Sequence, residues 1–65
     1  MIREASVYLI RRIEQFLERA DMKPTRFGRE TIGDPRLISD MKNGRELRDE
    51  TIARIQAWLD AQELR

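Results

Sequence analysis

Residues 24–45 read Pro24-Thr25-Arg26-Phe27-Gly28-Arg29-Glu30-Thr31-Ile32-Gly33-Asp34-Pro35-Arg36-Leu37-Ile38-Ser39-Asp40-Met41-Lys42-Asn43-Gly44-Arg45. This stretch holds two helix-length blocks set off by their own punctuation. The residue before a proline disfavours helix, while proline suits a first helical position, so Pro24 starts one helix after the break at Asp21-Met22-Lys23. That helix is expected to run to about Thr31, with Phe27 and Ile32 as apolar anchors. Ile32-Gly33-Asp34 is a turn. Asp34-Pro35 combines an N-cap acceptor with a helix-starting proline and predicts a second helix over Pro35–Asn43, burying Leu37 or Ile38 together with Met41. Gly44 is a left-handed stop after Asn43. Two helices of this length across a tight glycine turn have helix-turn-helix spacing. Gly28, fifth from Pro24, lies where a small residue lets the pair approach closely, and Ile38 and Met41 close the pair from the other side.

Upstream, Leu9, Ile10, Ile13, Phe16, Leu17 and Ala20 recur at steps of three and four, with Arg11, Arg12, Glu14, Gln15, Glu18 and Arg19 opposite them. A helix over about 6–20 is predicted, with Ser6 as an N-cap candidate. Downstream, Arg45–Arg48 is a polar loop anchored by Leu47. Asp49 as N-cap and Glu50 in the first turn open a last helix over about 49–64, with Ile52, Ile55 and Leu59 on its apolar face and Trp58 beside them. No stretch alternates as a strand does. The expectation is an all-α, compact bundle of four short helices containing a helix-turn-helix, with 65 residues forming one domain over 1–65.

Composition narrows the chemistry. The chain is 40% hydrophobic and 38% charged, apolar enough to fold around a thin core. It has no Cys and no His, which excludes disulfides, thiolate and imidazole metal sites, and the common nucleophile–histidine centres. No Gly-Lys-Ser/Thr phosphate loop occurs. Short helices do not easily enclose a substrate pocket of a few hundred Å³. The expectation is therefore no enzyme, no catalytic residue, no metal and no cofactor. The longest apolar run, Val7-Tyr8-Leu9-Ile10, is far short of a membrane span, and with Met1 and no signal peptide it gives a cytoplasmic, membrane-free expectation. The net charge of +1 hides an asymmetry: residues 1–21 sum to zero, residues 22–48 to +3 and residues 49–65 to −2. A basic middle is what a phosphate-binding face needs; the alternative is a lopsided solvated surface.

Met22-Lys23-Pro24-Thr25-Arg26-Phe27-Gly28, Arg36–Arg45 and Glu50-Thr51-Ile52-Ala53-Arg54-Ile55, in that order, resemble the phage lambda repressor/Cro-like (XRE-type) family of helix-turn-helix regulators. The resemblance spans about Leu17–Leu59 and extends to small regulators of proteobacteria and their phages. It departs at the turn, where Thr31-Ile32-Gly33 brings the glycine one position late, and in the loop before the last helix, which is about one residue short. Both predict an extended turn and a shifted recognition helix. The resemblance implies base contacts from the outer face of the second motif helix, at Arg36, Ser39, Asp40 and Asn43. Arg36 suits bidentate contact with guanine, and Ser39 allows close approach. Asp40 either accepts from cytosine, orients Arg36 at i, i+4 or is merely solvated. Asn43 binds phosphate or adenine, or caps its helix. Asp34 and Pro35 are cap and starter. Thr25, Arg26, Lys42, Arg45 and Arg48 are the phosphate-contact candidates.

The implied function is a sequence-specific double-stranded DNA-binding transcriptional regulator, a repressor acting by promoter occlusion and nucleoid-associated when bound, with no small-molecule ligand. One recognition helix reads few base pairs, so a homodimer on an inverted-repeat operator is expected, with Trp58, Leu59 and Leu64 as interface candidates. Phe16, Phe27, Ile38, Met41, Ile55 and Leu59 are also expected in the core. The alternative is a protein-interaction module reusing the fold as an antitoxin, an adaptor or a phage-encoded inhibitor. An RNA binder is weaker, because the basic middle lacks exposed stacking aromatics.

Overall fold

The computed structural model describes residues 4–63, which form four α-helices and no strand: α1 (Glu4–Ala20), α2 (Pro24–Ile32), α3 (Leu37–Lys42) and α4 (Asp49–Glu63). α1 begins before Ser6, so Ser6 lies inside the helix and is not its cap. Its end is set by Asp21, which takes a left-handed φ of 52°. The Asp21 N–H donates to the Glu18 carbonyl (3.4 Å) and the Met22 N–H to the Leu17 carbonyl (3.0 Å), the paired bonds of a Schellman stop. Met22, just beyond, folds against the core beside Leu17.

Pro24 occupies the first turn of α2 as its fixed φ favours, and Lys23 precedes it in extended conformation (φ −76°, ψ 144°) with no side-chain cap. α2 runs to Ile32, and Gly33 ends it at φ 72°. The turn then occupies Gly33–Arg36, in keeping with the late glycine, and α3 starts at Leu37, two residues after its expected start at Pro35. The reason is local. The Leu37 N–H bonds the Asp34 carbonyl only three residues back (3.2 Å), so Pro35 and Arg36 form a tightened turn ahead of the regular helix. Asp34 is therefore not the N-cap of α3, a place that Arg36 takes with no side-chain bond; Asp34 instead caps the turn ahead, where its Oδ1 accepts the Arg36 N–H at 3.0 Å. Asp49 is not a cap: the Arg48 carbonyl accepts the first bond of α4 from the Ile52 N–H (3.0 Å), leaving Asp49 and Glu50 in the first turn, where their charge suits the helix dipole.

The core draws on every helix: Leu9, Ile13 and Leu17 from α1, Phe27 from α2, Leu37, Ile38 and Met41 from α3, Ile55 and Leu59 from α4, and Leu47 from the loop. Both Leu37 and Ile38 are buried, whereas Ala20 is exposed and Ile32 and Ile52 lie at the core's edge. Phe16, Phe27 and Trp58 join α1, α2 and α4. Trp58 stands edge-on to both phenylalanines, at 5.2 and 5.3 Å between ring centres, the arrangement the ring quadrupole favours. Among the described residues Thr31 is the buried polar side chain, and its hydroxyl donates to the Phe27 carbonyl at 2.8 Å. A radius of gyration of 11.0 Å shows a closely packed chain, since about 10.7 Å is expected at this length.

Candidate nucleic-acid interface

α3 is positioned by what lies beneath it. Gly28 is buried, and a Cβ placed there would sit 2.1 Å from the Asp34 carbonyl oxygen and 3.0 Å from the Leu37 Cβ. The turn therefore rests directly on α2, and the Asp34 N–H adds a bond to the Gly28 carbonyl (3.1 Å). Leu37, Ile38 and Met41 are all turned into the core. At 3.6 residues per turn, this leaves Arg36, Ser39, Asp40 and Asn43 along the outward stripe. Arg36, Ser39 and Asn43 are exposed and Asp40 is partly so. These are the four residues expected to face a groove.

Charge around that stripe is less free than the sequence suggests. Arg45 turns back over α3: its Nη1 donates to Asp34 Oδ2 at 2.8 Å and to Asp40 Oδ2 at 3.3 Å. The Asp40 carboxylate is thus engaged by Arg45, and among the described residues no ion pair joins it to the Arg36 side chain; the two residues meet only through the helical bond from the Asp40 N–H to the Arg36 carbonyl (2.8 Å). The Asp34 carboxyl is held below its ordinary pKa, first by the hydrogen bond from the Arg45 side chain and then by the Arg36 N–H. The guanidinium of Arg45 is in turn made harder to deprotonate, chiefly by Asp34.

The other phosphate candidates are all exposed: Thr25 and Arg26 at the start of α2, Lys42 at the end of α3 and Arg48 before α4. Arg26 pairs with Glu30 one turn on (2.6 Å), and Lys42 lies 3.8 Å from Glu14 of α1. Among the described residues Arg36 and Arg48 have no ion-pair partner.

The interface candidates divide. Leu59 has 0% exposure within the single chain, so it offers no surface to a second copy. Trp58 is half-buried, and the buried part packs on Phe16 and Phe27. Leu64 lies outside the described residues. The concavity lined by Phe16, Arg19, Ala20, Gln62 and Glu63 belongs to α1 and α4, is open to solvent and takes no residue from α3.

The ion pairs among the described residues were not read from the sequence, and two of these systems show why. Arg12, assigned there to a solvated face, reaches α4 and bonds Asp60 (2.5 Å) and Glu63 (3.0 Å). Periodicity within one helix cannot reveal a partner on another. The Arg45–Asp40 contact did have a signal. Asn43-Gly44 predicts a Schellman stop, and that motif returns the residue after the glycine to the one four before it. The Arg45 N–H donates to the Asp40 carbonyl at 2.9 Å, bringing the two side chains together. Compared with protein-family models, curated proteins and solved structures, the chain matches none of them.

Proposed function

We propose that the chain is a sequence-specific double-stranded DNA-binding regulator of the helix-turn-helix type, with α3 entering the major groove. The observation that carries this reading is the division of α3: one face is wholly consumed by the core, while the opposite stripe presents Arg36, Ser39 and Asn43 to solvent. α3 is braced on α2 through a glycine contact that admits no side chain. In this role Arg36 reads guanine O6 and N7, and Asn43 reads adenine or holds phosphate. Thr25, Arg26, Lys42 and Arg48 hold the backbone and set the register. Occupying a promoter would repress by exclusion, and two copies on an inverted repeat would supply the specificity that one short helix lacks. Titration of a duplex enriched from random DNA tests this. About four phosphate contacts per copy give a log–log salt slope of about −4, doubled for a dimer on a full site. A flat salt response with no enriched duplex contradicts it.

A second reading, a protein-interaction module such as an antitoxin, an adaptor or an inhibitor, is favoured by one observation. Arg26, Lys42 and Arg45 are already paired with carboxylates, which weakens the positive field that DNA would meet.

A further inference from the structure

We infer that Arg45 is a positioning residue that staples α3 from end to end, not a phosphate contact. The inference rests on the DNA reading above. α3 is only six residues long, too short to hold itself as a helix without help from its surroundings. Beyond its packing on the core and on α2, that help comes from two carboxylates and one guanidinium. Asp34 lies ahead of α3 and uses both oxygens: Oδ1 caps the Arg36 N–H at 3.0 Å, and Oδ2 takes Arg45 Nη1 at 2.8 Å. Arg45 lies past the other end of α3. The Gly44 N–H bonds the Met41 carbonyl (3.1 Å) and the Arg45 N–H bonds the Asp40 carbonyl (2.9 Å), which turns the chain back and aims the Arg45 side chain along the helix. On its way to Asp34 the same Nη1 meets Asp40 at 3.3 Å. A closed loop results: Arg36 N–H, Asp34 carboxylate, Arg45 guanidinium, Asp40 carboxylate, and α3 itself.

This loop has two consequences for the outward stripe. The Arg36 backbone is fixed at one end and Asn43 at the other, so the stripe is presented as a rigid unit. The two carboxylates, which would repel phosphate if left alone, share one cation, which halves their charge and is thereby occupied. A residue in this place changes how well the helix discriminates between sequences, without adding a released counterion of its own.

The test measures affinity for two duplexes, one enriched from random DNA and one scrambled, each as a function of salt. It compares the wild type with Arg45→Ala, Asp34→Asn and the double variant. Asparagine keeps the cap but removes the charge. The staple predicts a several-fold loss of preference for the enriched duplex in both single variants, an unchanged salt slope, and a double variant no worse than either. If Arg45 instead contacts phosphate, Arg45→Ala lowers the slope by about one and weakens both duplexes alike, while Asp34→Asn tightens binding. That result overturns the inference. Amide exchange on the free proteins separates the two layers of the proposal. Faster exchange confined to α3 in Arg45→Ala upholds the staple even if the wild type binds no duplex, in which case the DNA reading fails by itself. Exchange unchanged in α3 refutes the staple whatever the DNA result.

Discussion

At Gly28 the backbone of the turn occupies the space where any other residue would carry its side chain. Replacing it with alanine pushes a methyl, fixed to the α2 backbone, against the backbone carbonyl of Asp34, so neither can swing away. Gly28→Ala is expected to cost about 1–3 kcal/mol, read as a lower urea midpoint with an unchanged slope. This need was legible in the sequence, because a small fifth residue follows from bringing two short helices together. The role of Asp21 was not, since a residue other than glycine seldom takes the left-handed region and the break after α1 is already announced by Pro24. Asp34 adds a pH dependence. Its folded pKa is depressed, so the stability it contributes is complete above the ordinary carboxylate value of 3.8 and is lost as pH falls from there through the lowered folded value. Carboxyl NMR titration of Arg45→Ala should bring Asp34 back toward its ordinary value, though not fully, because the Arg36 N–H still holds it. An unchanged Asp34 titration would show that the Arg45 contact is not made in solution.

At the scale of elements, helix existence and inward faces were legible, and boundaries and pairings less so. The three-and-four spacing located Leu9, Ile13 and Leu17, and the Asp34-Pro35 and Asn43-Gly44 punctuation located α3. The start of α3 slipped to Leu37 because Pro35 and Arg36 were drawn into a tight turn, a choice made by one carbonyl acceptor and invisible to propensity. Trp58 shows the same limit. Seen as a sequence, it lay beside the apolar face of the last helix and was an interface candidate; in the fold it is the aromatic contact through which α4 meets both Phe16 and Phe27. Trp58→Ala is therefore expected to destabilise the single chain by about 2–3 kcal/mol in urea unfolding, independently of protein concentration. A loss that disappears at high protein concentration would return Trp58 to a subunit interface.

For the molecule as a whole, the division of labour follows the charge. The acidic end of α4 is held by Arg12, which ties α1 to α4 through Asp60 and Glu63. No helix among the described residues is long and apolar enough to cross a membrane. The basic middle is left to carry the outward stripe of α3; the fold class was readable from periodicity and punctuation, and the stripe from the family resemblance. Of the salt bridges that temper its charge, Arg26–Glu30 lies within α2 at the readable i, i+4 spacing, whereas Lys42–Glu14 depends on where α3 and α1 cross. The proposal that α3 reads DNA turns on Arg36 as its guanine contact. Selection from a random duplex library, run in parallel with wild type and Arg36→Ala, tests it most directly. The wild type is expected to enrich a defined site. The variant should lose preference at one base pair, keep the others, and bind the site about 1–3 kcal/mol more weakly. No enriched site with the wild type, or a variant that enriches the same site unchanged, would contradict it.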